Sequence, residues 1–138
     1  MATYVKYTAA AKPMLEGNNA ATDTWKIALA ATVNAADTAF VVGTSDLATA
    51  GGYTAGGNVA TLVSAVDTAG TYKLVLNSPT AWTASGAGFT FRYVILYDFT
   101  TLIPVGYWDY GSSVVMNGTN GDTFTVTLDA TNGVFQVA

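Results

Sequence analysis

Asp98 and Asp109 come nearest to a reactive pair in this sequence. Two carboxyl groups ~5–10 Å apart across a cleft can cleave a glycosidic bond, one protonating the leaving oxygen while the other attacks the sugar or activates water. Both residues flank the most aromatic stretch of the chain, with Tyr97, Tyr107, Trp108 and Tyr110 beside them, and aromatic rings line sugar clefts. The plainer reading places Asp98 at a turn that ends a strand, and pairs Asp109 with Arg92 or with solvent. Both are ordinary tasks for aspartate. Other chemistries lack parts. Asn117-Gly-Thr-Asn-Gly-Asp122 is superficially like a calcium loop but has one carboxylate and no distal glutamate. Gly51-Gly-Tyr-Thr-Ala-Gly-Gly57 is glycine-rich like a phosphate cradle, yet Asn58-Val-Ala60 follows where a lysine and a helix are required. It reads as a flexible loop entering a strand, with Tyr53 packed over its base. Ser45, Ser78 and Ser113 have neither a histidine to activate them nor a Ser-x-x-Lys spacing.

The chain has no histidine and no cysteine. That removes the commonest general base, the commonest metal ligand, the best soft nucleophile and every disulfide. No catalytic residue, metal site or cofactor is expected. Charged residues make up 10% of the chain, against roughly 25% in an average soluble protein. A surface so poor in charge is weakly protected against association, which points to coverage by neighbours. The cations Lys6, Lys12, Lys26, Lys73 and Arg92 are scattered, and the formal net charge is −4. Nucleic-acid binding requires a basic patch, and anionic membranes attract one, so neither partner is expected. The N-terminus lacks the basic-then-apolar pattern of a secretory signal. No apolar run approaches the ~20 residues of a membrane span.

The elements that must position these residues are mostly strands. A length of 138 residues suits one domain. Tyr4 to Glu16 is the one stretch where helical spacing fits, with Tyr4, Tyr7, Ala11 and Leu15 on one face. Pro13 cuts against a long helix, and Gly17 reads as a stop, so a short helix or an irregular arm is expected over residues 1–22. From Thr24 the period is two. Trp25, Ile27 and Leu29 alternate with Lys26, Ala28 and Ala30. Strands are also expected at Ala39–Val42, Val59–Val66, Thr71–Leu76, Leu102–Tyr110, Ser112–Met116, Thr123–Leu128 and Val134–Val137. The strongest is Phe89–Asp98, in which Phe89, Phe91, Tyr93, Ile95 and Tyr97 are expected on one face. Asp67-Thr-Ala-Gly70 reads as a hairpin turn. The pattern predicts an all-β domain over residues 23–138, a β-sandwich or jelly-roll-like barrel.

An ordered set of motifs then resembles a widespread family of small structural proteins of tailed bacteriophages. The set comprises Asp23-Thr-Trp-Lys-Ile-Ala-Leu29, Gly52-Tyr-Thr-Ala-Gly-Gly57, Trp82, Phe91-Arg-Tyr-Val-Ile-Leu-Tyr97, Leu102-Ile-Pro-Val-Gly106, Asp109-Tyr-Gly111, Thr127-Leu-Asp129 and Gly133-Val-Phe135. It spans roughly residues 22–138. The arm departs from the family, which often has a longer amphipathic helix before the first strand. The turn from Asn34 to Asp37 departs too, being short and alanine-rich. The resemblance implies a virion component, not an enzyme, made in the host cytoplasm. Its most direct form is a capsid decoration (cement) protein on the outer surface of the head, bound to the major capsid protein and to itself as a homotrimer. A tail-associated receptor- or carbohydrate-binding module is the alternative, motivated by Tyr107, Trp108 and Tyr110. The residues expected at lattice or subunit contacts are Tyr4, Tyr7 and Leu15 in the arm, Tyr53 in the glycine loop, Arg92 and Trp108.

Overall fold

The structure, a computed structural model, describes residues 2–138. In chain order its elements are β1 (Thr3–Lys6), α1 (Ala11–Glu16), β2 (Trp25–Ala30), β3 (Asn58–Val59), β4 (Leu62–Thr68) and β5 (Thr71–Leu76), then β6 (Trp82–Thr83), β7 (Phe89–Asp98), β8 (Ile103–Met116), β9 (Thr123–Phe124) and β10 (Phe135–Val137). Antiparallel pairing gives a five-stranded sheet ordered β1-β8-β7-β2-β3, a three-stranded sheet β10-β5-β4, and the ribbon β6-β9. The fold is all-β, a sandwich with open edges, and no closed barrel forms among the described residues.

The main core lies between the layers. Trp25, Ile27 and Leu29 of β2 and Phe91, Val94 and Leu96 of β7 meet Leu74 and Leu76 of β5, with Trp82, Val126 and Leu128 closing one side. A second cluster lies on the reverse face of the large sheet. There Ala28, Ala30, Ile95 and Tyr97 are covered by Tyr7, Ala10 and Phe40, and the Phe40 and Tyr97 rings stack at 3.7 Å. Both faces of β2 and β7 are therefore buried. Large residues on one face of β2 and alanines on the other let a loop lie close against the small side. Fully burying a large apolar side chain contributes about 1.5–3 kcal/mol, so this central pair of strands carries much of the stability.

Several expectations are corrected. Tyr4 lies in β1 and shares no helix with Leu15; the helix begins only at Ala11. The helix is short, as expected, and it accommodates Pro13 in its first turn, where backbone N–H groups have no intrahelical acceptor. Gly17 does end it, donating to the Pro13 carbonyl at 2.7 Å. Ala39–Val42 forms no strand and belongs to the connection over residues 31–57. β8 runs unbroken where two strands were expected, and only Thr123 and Phe124 of the 123–128 segment are paired.

β7 has the expected bounds but not the expected facing. Phe89 and Phe91 enter the main core, while Ile95 and Tyr97 enter the second cluster and Tyr93 packs against it. The pairing explains the reversal. Between Phe91 and Tyr93 the partner moves from Val114 to Asp109, five residues of β8 against two of β7. Such a bulge shifts register, and a one-residue shift exchanges the two faces of a strand.

Candidate functional site

Asp98 and Asp109 do not form a pair. Asp109 is opposite Tyr93, and Asp98 lies five residues further along β7, roughly 17 Å at the rise of a strand. Arg92 holds Asp109 in a fork, Nε to Oδ1 at 2.8 Å and Nη2 to Oδ2 at 2.9 Å. The Gly111 N–H also donates to Oδ1. These contacts hold the Asp109 carboxyl below the ordinary carboxylate range and raise Arg92 in turn. The fork sits at the bulge and pins it. Asp98 is fully buried at the end of β7. It accepts from the Thr100 and Thr101 N–H groups and from Asn18 Nδ2 at 2.7 Å. Burial, then the neighbouring Asp23 carboxyl, push its pKa up. Its task is to tie the segment after α1 to the β7–β8 turn. The Asn117–Asp122 loop is likewise self-satisfied, since Asn117 Oδ1 and Asp122 Oδ2 accept backbone N–H groups of the loop itself.

The glycine loop is the most tightly built part of the molecule. Asp46 is buried and accepts from the Gly43 N–H, the Gly56 N–H and the Tyr53 hydroxyl, each at 2.6 Å. The Tyr53 oxygen accepts in turn from the Leu29 N–H, and the Tyr97 hydroxyl donates to the Gly56 carbonyl. Burial and donation to Asp46 push the Tyr53 hydroxyl far above the ordinary phenol range. A side chain at Gly57 would collide with the Ile27 carbonyl of β2, so glycine here serves backbone-to-backbone packing. Sequence reasoning missed Asp46. It is the only charged residue between Asp37 and Asp67, and a lone acid in so neutral a stretch is a signal of a buried anchor.

This arrangement corrects two of the expected contact residues. Tyr7 and Tyr53 are 2% and 1% exposed; they bind the domain to itself and cannot meet a neighbour. Tyr4 and Leu15 are exposed, at 40% and 77%, and Arg92 and Trp108 are partly exposed. The structure brings Tyr4 and Trp108 together, with ring centroids 5.2 Å apart, and separates them from Leu15 on α1.

Two surface features bear on function. One is the edge of the small sheet. β4 pairs with β5 on one side only, and exposes Leu62, Val63 and Val66. Residues 58–66 contain no charge, although edge strands are usually guarded by lysine, proline or a bulge. The guards present are the irregularity between Leu62 and Ser64 and a single charge, Asp67, at the turn end of the strand. The other feature is a cleft of about 380 Å³ on the opposite side of the sandwich, between β1 and β8 on one wall and the 125–129 segment on the other. Among the described residues no group of three or more acidic side chains is placed to hold a metal ion, and no helix is long and apolar enough to cross a membrane.

Comparison with protein-family models, with curated proteins and with solved structures found no match to this chain.

Proposed function

We propose that this protein is a structural component of a bacteriophage particle, a cement protein that binds the outer surface of the head lattice through the major capsid protein and stabilises it. The β4 edge carries the reading. Residues 62–66 of this edge carry no charge, Asp67 at the turn end being the one charge in the strand. An apolar, unpaired edge of this kind is an association hazard if left bare, and a lattice contact removes the hazard. The low overall charge and the ordered set of phage-like motifs support the same reading. Each joint gains about 25 cal/mol per Å² of apolar area before association costs. Repetition over a shell multiplies weak joints into a strong one.

In this reading the copies associate as trimers. Pairing β4 with the β4 of a second copy would give a two-fold dimer, whereas three-fold closure requires two different patches to meet. The exposed Val41 and Val42 supply a second apolar patch on the same chain. Sedimentation of the purified protein distinguishes trimer from dimer, and a monomer at high concentration contradicts both. The function itself is tested on particles. Those lacking this chain are expected to release DNA at a lower temperature than complete particles, and purified protein is expected to restore the difference. Equal release temperatures would overturn the proposal.

A further inference from the structure

The cleft opposite the β4 edge has two unlike walls. On the large sheet Val94, Trp108 and Tyr4 form a cross-strand row on the inner face, because Trp108 is opposite both Val94 and Tyr4. A side chain at residue 106 would meet the Tyr4 ring, so Gly106 is what lets that ring lie flat on the strand beside Trp108. Tyr110 continues the wall and is 40% exposed. The other wall is the extended segment 125–128. Val126 and Leu128 point into the core, and Thr125 and Thr127 point outward. The backbone N–H and C=O groups of Thr125, Val126 and Thr127 make no hydrogen bond among the described residues. The free stretch is closed at both ends, by the Phe124–Trp82 pairing and by the Leu128 N–H bond to Ser78 Oγ.

We propose that this cleft binds a neutral saccharide, one or two pyranose rings long. A pyranose has apolar faces and an equatorial edge of hydroxyls, which match an aromatic wall beside a row of free amides and carbonyls, with the exposed Thr125 and Thr127 at the rim of the same cleft. Size decides against an extended peptide. Three residues span roughly 10 Å, too short for a strand to add with useful pairing but comparable with two linked sugar rings. Charge decides against an anionic ligand, because Asp129 is the only carboxylate in the lining and no lysine or arginine joins it. The site does not depend on where in a particle the protein sits, since it lies on the side away from β4.

The protein contains its own reporter. Trp25 and Trp82 are buried, so a ligand in the cleft changes Trp108 emission. Titration of the full chain with cellobiose, maltose and N,N′-diacetylchitobiose is expected to give a saturable change with at least one of them. Tyr110→Ala is expected to weaken that binding about tenfold, the scale of one lost aromatic contact, and Thr127→Val to weaken it less. Thr127→Val should not shift the melting temperature by more than a few degrees, whereas the Tyr110 ring also packs edge-on against Phe91 and Phe124, so Tyr110→Ala is titrated well below its own melting temperature. No response to any of the three sugars would overturn the proposal. So would a response unchanged in both variants, which would put the binding elsewhere. A response to an alternating Val-Thr peptide but to no sugar would also overturn it, making the cleft a strand-addition site.

Discussion

The connection over residues 31–57 and the β4–β5 hairpin invert the usual association of regular structure with rigidity. The connection contains no strand and no helix, yet Asp46, Tyr53 and Tyr97 lock it onto the large sheet through buried hydrogen bonds. The hairpin is regular, with a two-residue turn at Ala69-Gly70 where both residues have positive φ. Its outer edge and much of its surface nevertheless face solvent. Polar satisfaction, not secondary structure, decides which segment is fixed and which is free to meet a partner. The glycine-rich loop is therefore interior architecture, and the apolar strand is the surface we propose for interaction.

Substitutions separate the two regions by the size and kind of their effects. Asp46→Ala leaves the buried Gly56 N–H and the buried Tyr53 hydroxyl without an acceptor, at about 1–3 kcal/mol each, and also removes the part-buried bond to the Gly43 N–H. It is expected to lower unfolding free energy by about 3–5 kcal/mol in a urea titration, and a loss below about 1 kcal/mol would erase the distinction. In the hairpin, Gly70→Ala meets no steric obstacle but forces a side chain into positive φ, so a loss of about 1 kcal/mol is expected in the same titration. Val63→Lys adds a charge to the exposed edge. It is expected to change stability by less than about 0.5 kcal/mol, while converting the associated protein to monomer in sedimentation. A destabilised, still associated Val63→Lys protein would reverse the roles given to loop and hairpin.

Local signals in the chain marked much of this fold. The bounds of β5 and β7 follow from alternation, and the Asp67–Gly70 turn from turn-favouring residues placed between two alternating runs. Facing was harder to read. The alternation of β7 is regular in sequence, and only the extra residues of β8 and the Arg92–Asp109 fork reveal that Phe91 and Ile95 face opposite layers. Pro13 and Gly17 rightly marked the helix as short, but not that Tyr4 lies outside it in a strand. Tyr53 was read both as packed over the loop base and as a subunit contact; only the first holds, because Asp46 and the Leu29 amide across the fold bury it. The cleft was half visible. Trp108 and Tyr110 stand out by type, but Thr125 and Thr127 are ordinary residues, and only the third dimension sets them opposite those rings.

The cement reading is tested most directly by copy number, measured by quantitative mass spectrometry of purified particles against the major capsid protein. A lattice-covering protein is expected at a number comparable with the major capsid protein itself. A handful of copies per particle would contradict it and move the chain to the tail or a single vertex.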